Sequence, residues 1–267
     1  MKSRMHCLRS RLSPGLVLLF SLAPLWAATP DADNLIRRSD QAIKPHTTYE
    51  KVQMDLYDEQ GRLEQSRTLE IYFKQYPDHD VTLQKFLDPP IIQGSGLRIV
   101  DQHTAANDIW MYLPTTRRIR RIAGAQKSNH YMGTEFSYED FEDYQPQSHH
   151  FQSLETQDCV RDKRCFRVAA TPATEAERQA SSYSKKIYWI ETESLYPVRV
   201  DYVDHQGKTV KRLQVAELAP YGQYILPVQL SMLNLVNKRR TDIRFLERRV
   251  DQPLKDYYLS KRYLRTE

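Results

Sequence analysis

Apolar and polar residues alternate along most of the chain beyond residue 50, and this alternation is the strongest constraint on its fold. Val52, Met54 and Leu56 begin the pattern, a turn at residues 59–61 interrupts it, and similar segments follow as far as residue 246. A period of two predicts β-strands, here about ten or more short ones. Few helical segments are available to cover so large a sheet. We therefore expect a mainly β (α+β) fold, a half-open antiparallel β-barrel with a few helices covering its mouth.

Residues 1–27 have the layout of a secretory signal peptide. Four basic residues precede an apolar core at residues 16–25, which is short for a membrane span, and Ala27 ends a cleavage-site pattern. We predict export to the periplasm, cleavage near Ala27, and a single mature domain at residues 28–267. Removing the four basic residues leaves 35 of the 39 Lys and Arg residues against 34 Asp and Glu, so the mature chain is nearly neutral.

Three short segments carry helical signals. Residues 33–43 place apolar side chains on one side at helical spacing, and Pro45 follows them. Ser137 followed by Asp140 has the spacing of a capping box that opens a short acidic helix. Pro253 suits a first helical position, so we expect a last helix there.

Cys159 and Cys165 are the two cysteines that remain after the predicted cleavage. They enclose a short polar connection between two apparent strands. An exported protein meets oxidising conditions, and the chain offers no second pair with metal-ligand spacing. We predict a disulfide between them rather than a metal site.

Residues 108–143 combine a hairpin, a linker and a helix signal. The first strand alternates aliphatic with aromatic side chains. Its members are Ile109, Trp110, Met111, Tyr112 and Leu113. The arginine-rich residues 117–122 are predicted to return antiparallel to this strand, so that one motif spans hairpin, loop and helix.

Three motifs in this stretch resemble the signature of the LolA-like outer-membrane lipoprotein-sorting family. The motifs are Trp110-x-Tyr112-x-Pro114, Arg117-Arg118-Ile119-Arg120-Arg121-Ile122 and Met132-Gly133-Thr134-Glu135-Phe136-Ser137-Tyr138-Glu139-Asp140. Glu135 and Phe141 depart from the family pattern, in which aspartate and leucine are expected. The order of signal peptide, first helix and successive strands extends the resemblance over nearly the whole mature chain.

The resemblance implies a half-open barrel that handles lipids. We expect a periplasmic carrier that shields the acyl chains of a lipoprotein or lipid in an apolar cavity during transfer towards the outer membrane. Its expected partners are that cargo, an inner-membrane transporter and, transiently, a membrane surface, and we expect a monomer. The alternative is a non-carrying envelope module that interacts with a transporter or senses lipid.

The family motifs contain the candidate ligand contacts. Aromatic residues on strands usually cover a sheet face or complete a core, but position within a family motif favours a cavity for these. The cavity or gate candidates are Trp110, Tyr112, Leu113, Phe136 and Tyr138.

We predict that residues 123–143 are a movable gate. Gly124 and Gly133 give the backbone freedom at either end of a polar run, as hinges often do. Phe136 and Tyr138 then provide apolar surface that rests on the barrel mouth, near the aromatic residues of the first strand, when no ligand is bound. The alternative is an ordinary surface loop that is packed permanently.

Four arginines, Arg117, Arg118, Arg120 and Arg121, lie close together in the sequence. Basic runs bind nucleic acid in other proteins, but the predicted export argues against a nucleic-acid partner. We weigh a solvated strand face, with some of its residues paired to the acidic helix, against a docking surface for lipid headgroups or a partner protein.

Acidic residues and histidines around residues 130–150 supply groups that metal binding or acid–base catalysis would need. They are His130, Glu135, Glu139, Asp140, Glu142, Asp143, His149 and His150. Their spacing matches no catalytic or metal motif, and acids at a helix N-terminus are explained by the helix dipole. We predict no catalytic residue, no metal and no cofactor, and therefore not an enzyme.

Overall fold

Thirteen strands make one antiparallel sheet in the computed structural model, which describes residues 31–142, 148–159 and 163–266. The predicted signal peptide lies outside the described residues. The strands are β1 (Thr47–Tyr57), β2 (Leu63–Gln75), β3 (His79–Asp88), β4 (Gly96–Gln102), β5 (Asp108–Leu113), β6 (Arg118–Ile122), β7 (His149–Asp158), β8 (Arg164–Pro172), β9 (Lys185–Glu191), β10 (Pro197–Val203), β11 (Thr209–Tyr221), β12 (Tyr224–Asn234) and β13 (Arg240–Val250).

The first and last strands lie side by side in the middle of the sheet. The spatial order is β6-β5-β4-β3-β2-β1-β13-β12-β11-β10-β9-β8-β7. Apart from β1 and β13, all neighbouring strands in the sheet are also consecutive along the chain. β6 and β7 are the edges, and in the described residues they do not pair with each other. The predicted mainly β fold, a half-open antiparallel barrel, is confirmed.

The sheet curves towards one of its two faces. Ile109 on β5 and Val200 on β10 are far apart in the strand order, yet both belong to one buried cluster with Met232 of β12. Side chains from distant strands meet in this way only if the sheet bends around them. We call this the inner face. The opposite, outer face carries a second cluster that includes Leu83 and Val100.

Helix α1 (Ala32–Ile43) covers part of the inner face, and the helix predicted at residues 33–43 is confirmed. Its Leu35 and Ile36 are buried against Val168 and Ile190 of β8 and β9. The apolar side chains recur at helical spacing, so they form one stripe that the sheet removes from water.

A second helix, α2, occupies Glu175–Ala180 in the β8–β9 connection and was not predicted. Thr174 Oγ1 accepts a hydrogen bond from the Glu177 amide at 3.2 Å, and Glu177 Oε2 accepts one from the Thr174 amide at 3.0 Å. This reciprocal arrangement is a capping box. Across the described ranges, no helix has the length and apolar character needed to cross a membrane.

Short helical segments near the C-terminus cover the outer face. They are a 3₁₀ turn at Asp256–Leu259 and helix α3 at Lys261–Leu264. Leu259 and Leu264 are buried against Tyr72 and Val100. The last helix was predicted to begin at Pro253, whereas the helical turns begin later and are shorter, because the chain first runs extended across the sheet.

Cys159 and Cys165 form the predicted disulfide, with Cα atoms 5.7 Å apart. Cys165 is completely buried, in a cluster with Trp189 and Val198. The bond therefore ties the end of the β7–β8 hairpin, next to an open sheet edge, to a packed part of the sheet.

Reduction of this disulfide should lower the free energy of unfolding by about 2 kcal/mol, because a short closed loop restricts the unfolded chain only modestly. Urea denaturation of the oxidised and reduced mature protein measures the difference. Thiol labelling of the denatured protein, prepared without reductant as residues 28–267, should find no free sulfhydryl, and two labelled thiols would refute the assignment.

Candidate functional site

Residues 123–142 leave edge strand β6 and cross the inner face, and we call them the plug. Its Tyr131, Phe136 and Tyr138 are buried in the same cluster as inner-face Met111, and the Tyr138 hydroxyl donates to Met111 Sδ at 2.9 Å. The rings of Tyr131 and Tyr138 meet edge to face, with centroids 5.7 Å apart. Much of the inner face is therefore covered by a largely irregular segment rather than by helices alone.

Two glycines allow the plug to turn sharply. Gly124 has a φ of 53° where the plug begins, and Gly133 has a φ of 76° in a tight turn. That turn is closed by the Tyr131 amide, which donates to the Phe136 carbonyl at 2.7 Å. Side chains other than glycine are strained at such positive φ angles. The glycines lie where hinges were predicted, and their movement stays a prediction.

Glu135 anchors the plug to the β12–β13 hairpin. Its Oε2 accepts a hydrogen bond from Asn234 Nδ2 at 2.9 Å, and its Oε1 lies 3.3 Å from Arg239 Nε. The Glu135 amide also donates to Thr241 Oγ1 at 3.0 Å. Glu135 is buried, so these contacts replace the water that its carboxylate would otherwise need.

Glu139 and Asp140 anchor the next part of the plug to the α2–β9 connection and to β11. Glu139 accepts hydrogen bonds from Ser181 Oγ at 2.6 Å and from the Ser182 amide at 3.1 Å. Asp140 Oδ2 lies 3.4 Å from Lys211 Nζ of β11, and the Asp140 side chain is fully buried. The carboxylates thus hold the plug to parts of the chain far away in the sequence.

The predicted capping pair of Ser137 and Asp140 is present, although the segment that follows is a 3₁₀ turn at Tyr138–Phe141 rather than an α-helix. The Ser137 amide and hydroxyl donate to Asp140 Oδ2 at 2.7 and 2.8 Å.

Burial, with the carboxylates of Asp140 and Glu139 nearby, raises the pKa of the Tyr183 hydroxyl far above its usual range. The Tyr183 side chain beside these carboxylates therefore stays neutral.

The rest of the acidic group also has structural contacts. Glu142 pairs with Lys127 at 2.6 Å, and His130 Nδ1 lies 2.7 Å from the Thr134 carbonyl oxygen. Asp143 lies outside the described residues. Among those that are described, no group of three or more His, Cys, Asp or Glu side chains is placed to hold a metal ion.

Beyond the plug, the inner face presents half-buried apolar side chains that sequence reasoning had not singled out. Ile71, Leu213, Leu230 and Phe245 each pack against the main cluster but keep part of their surface accessible. They come from four strands near the middle of the sheet. We call them the inner patch. Their alternation within each strand was visible in the sequence, but their meeting depends on the strand order.

A buried ion pair lies beside the inner patch. Arg248 Nε is 2.6 Å from Glu50 Oε1, and Arg248 also donates to the Pro227 carbonyl at 2.7 Å. Its guanidinium lies 4.1 Å from the centroid of the Phe245 ring. Burial raises the pKa of Glu50, and the charge of Arg248 opposes that rise. The inner face therefore combines apolar area with a satisfied polar group.

A cavity of about 190 Å³ separates the plug from strands β7 to β9. Its lining includes Lys127, Glu142, His149, Lys186 and Tyr188. Burial lowers the pKa of Lys186, but Tyr188 and the carboxylates of the plug outweigh burial, so the net shift is upward. Polar groups thus line the boundary between the plug and strands β7 to β9.

One part of the gate prediction is wrong. Trp110 and Tyr112 lie on the outer face, whereas Phe136 and Tyr138 are buried on the inner face. Tyr112 packs with the C-terminal leucines, and the Trp110 ring lies 3.3 Å from Lys261 Nζ. The physical reason is the alternation of β5, which sends neighbouring side chains to opposite faces.

The structure places Leu113 at the end of β5, half-buried against the inner cluster. Its ligand contact, like those of Phe136 and Tyr138, stays a prediction. The outer-face position of the two β5 aromatic residues gives them no part in an inner cavity.

The four arginines do not form a single surface. Arg117 occupies the β5–β6 turn with a φ of 52°, and Arg118 and Arg120 are exposed on edge strand β6. Arg121 pairs with Asp108 of β5 at 2.5 Å. Arg121 thus pairs with an acid of the neighbouring strand, whereas the sequence suggested pairing with the acidic helix segment.

Replacing Lys211 by Met should destabilise the plug, because the buried Asp140 carboxylate loses its cation. The expected loss of unfolding free energy is about 3 kcal/mol, with faster hydrogen exchange at the plug amides. Arg121→Met is the matched control: its pair with Asp108 is 53% and 31% exposed, so the loss should stay below about 1 kcal/mol. Similar losses in the two variants would contradict the anchoring role of Lys211.

Comparison with known proteins places the chain among structural relatives. A family model described as an uncharacterized protein matches residues 78–266, more than half of the chain. No curated protein matches the chain.

Solved structures match over nearly the whole described chain. A crystal structure from Vibrio parahaemolyticus, of a putative outer membrane lipoprotein-sorting protein domain, has a TM-score of 0.80 at 22% identity and covers 88% of this chain and 98% of its own. A DUF1329 family protein from Desulfovibrio piger has the same TM-score and identity, with coverages of 87% and 97%.

A LolA superfamily protein from Nitrosomonas europaea matches with a TM-score of 0.65 at 14% identity, over 87% of this chain and 98% of that one. At these identities the likeness concerns the fold, which agrees with the open sheet and its covered inner face. Because the family model matches more than half of the chain, the chain belongs to the family that this model describes. Its fold is LolA-like.

Proposed function

We propose that the protein is a periplasmic carrier that shields the acyl chains of a lipoprotein or lipid on its inner face. The observation that carries the proposal is that a separate segment, the plug, covers much of that apolar face. Since the chain connects the plug to the sheet at its two ends, the plug can move away from the inner face without breaking any pairing between strands. The LolA-like fold and the lipoprotein-sorting description of the Vibrio parahaemolyticus relative support the same role.

An acyl chain and the plug offer the inner face comparable contacts. A chain of about fifteen CH₂ groups costs roughly 12 kcal/mol to expose to water. The buried aromatic side chains Tyr131, Phe136 and Tyr138 already occupy an apolar site of the same kind. An acyl chain that replaces them on the inner face, next to the inner patch, offsets the lost plug contacts with its own burial.

The proposal extends to location and partners. A signal peptide predicted from the sequence and a disulfide between Cys159 and Cys165 both favour an oxidising compartment outside the cytoplasm. We propose that an inner-membrane transporter loads the protein and that the protein acts as a monomer. The proposed role involves no chemical step, and the acids of the plug serve as anchors.

A disulfide that holds the plug in place should block acyl uptake. Glu135→Cys and Thr241→Cys place thiols on two neighbouring residues, since the Glu135 amide nitrogen lies 3.0 Å from Thr241 Oγ1. Both native cysteines are replaced by alanine in this protein. Uptake of a fluorescent fatty acid should stop in oxidant and return on reduction, whereas the single Glu135→Cys variant should not respond. Unchanged uptake by fully cross-linked protein would place the entrance elsewhere.

Replacing Phe245 by Ala should weaken binding of the same probe about tenfold, because part of the apolar contact area of the inner patch is lost. Leu246→Ala is the matched control, since Leu246 is the next residue and is already 51% exposed. Titration of the probe by fluorescence measures both. Equal affinities of the two variants would remove the inner patch from the binding site.

The second candidate is a non-carrying envelope module that senses lipid or binds a transporter. The buried anchors Glu135, Glu139 and Asp140 favour it, because they hold the plug at several points. Release discriminates the two functions. A carrier hands its lipid to acceptor vesicles or a partner protein, whereas a sensor keeps a fixed partner at constant stoichiometry.

A further inference from the structure

Two neighbouring hairpin tips carry exposed aliphatic side chains at one end of the sheet. The tips are residues 58–64, which form the β1–β2 turn and the start of β2, and residues 235–240, which form the β12–β13 turn and the start of β13. Leu63 is 56% exposed and Val236 is 59% exposed. Because β1 pairs with β13, the two tips project side by side. A single exposed aliphatic residue needs no explanation, but two on adjacent tips form a patch.

Basic side chains accompany this patch. The two tips together hold four basic and three acidic residues. Two of the acids are held by arginines, Asp58 by Arg62 and Glu64 by Arg239. Arg62 keeps 76% of its side chain exposed, and Lys238 is also exposed. The surface therefore presents apolar points flanked by accessible cations.

The same tips are connected directly to the plug. Asn234 Oδ1 accepts a hydrogen bond from the Val236 amide at 3.0 Å, while its Nδ2 donates to Glu135 at 2.9 Å. Arg239 forms ion pairs with both Glu64, the neighbour of Leu63, and Glu135. A displacement of either tip therefore changes the contacts that hold Glu135.

We propose that these two tips dock on a phospholipid bilayer with anionic headgroups. Leu63 and Val236 enter the interface, and Arg62 and Lys238 meet the phosphates. Docking strains the contacts of Asn234 and Arg239 with Glu135 and so loosens the plug at the membrane surface. The loosening step rests on the proposed function, whereas the docking step does not.

A bilayer suits this surface better than a protein partner does. Stable protein interfaces need a large, continuous and complementary patch, and two aliphatic side chains supply far less. Shallow insertion of a few apolar groups together with cations near anionic lipids gives weak, reversible membrane binding. That strength matches a protein that must leave the membrane again.

Co-sedimentation with vesicles tests the docking step. The mature protein should bind vesicles of phosphatidylglycerol and phosphatidylcholine, and binding should weaken in vesicles of phosphatidylcholine alone and in high salt. Leu63→Ser/Val236→Ser should reduce binding about tenfold, because both apolar contacts are lost. Leu246→Ser is the matched control: Leu246 is 51% exposed but lies within β13 rather than at a tip. Absence of vesicle binding, or an equal loss in the control, would overturn the proposal.

Hydrogen exchange at the Glu135 amide tests the coupling. Vesicles should speed this exchange in the wild-type protein and leave it unchanged in Leu63→Ser/Val236→Ser. Docking without faster exchange would overturn the loosening step while docking stands. If the double variant instead abolishes a concentration-dependent self-association, the patch is an interface between copies of the chain and the bilayer proposal fails. Neither readout needs acyl uptake, so failure of either step can be distinguished from failure of the carrier role.

Discussion

The need to keep the inner face of an open sheet out of water determines the rest of this structure. Alternation along thirteen strands directs many apolar side chains to one side, and curvature brings them into one cluster. Strand pairing alone cannot close the sheet, because β6 and β7 remain edges. Other segments must therefore complete the core. Helix α1 covers one region of the inner face and the plug covers another.

The plug differs from a strand in how it is held. A strand is fixed by a ladder of backbone hydrogen bonds, whereas the plug is fixed by apolar contacts and by a few buried carboxylates. Each carboxylate contacts a different part of the chain, so the position of the plug is specific. The same arrangement makes the packing of the plug depend on each of these partners, because loss of one partner leaves a buried charge without compensation. A competing apolar ligand then has fewer contacts to break when it displaces the plug.

The sequence predicted the fold well because the signals for it are local. The strand alternation, the α1 stripe and the spacing of the cysteines each lie within a few residues. Helix α2 was missed although its capping pair, Thr174 and Glu177, was visible in the sequence. The site was harder to predict. Glu135 contacts Asn234 and Thr241, 99 and 106 positions away, and the inner patch brings Ile71 close to residues beyond position 212, so both depend on the strand order. Trp110 was misplaced even though the alternation of β5 already separated it from Met111.

In the proposed carrier role, the inner face exchanges its own plug for an acyl chain. Mass spectrometry of the native protein, purified from its compartment without detergent, tests this most directly. We expect a noncovalently bound acyl lipid in a fraction of the molecules, and faster hydrogen exchange of the plug in that fraction than in lipid-free protein. Lipid-free protein in every preparation, together with no binding of added acyl probes, would contradict it.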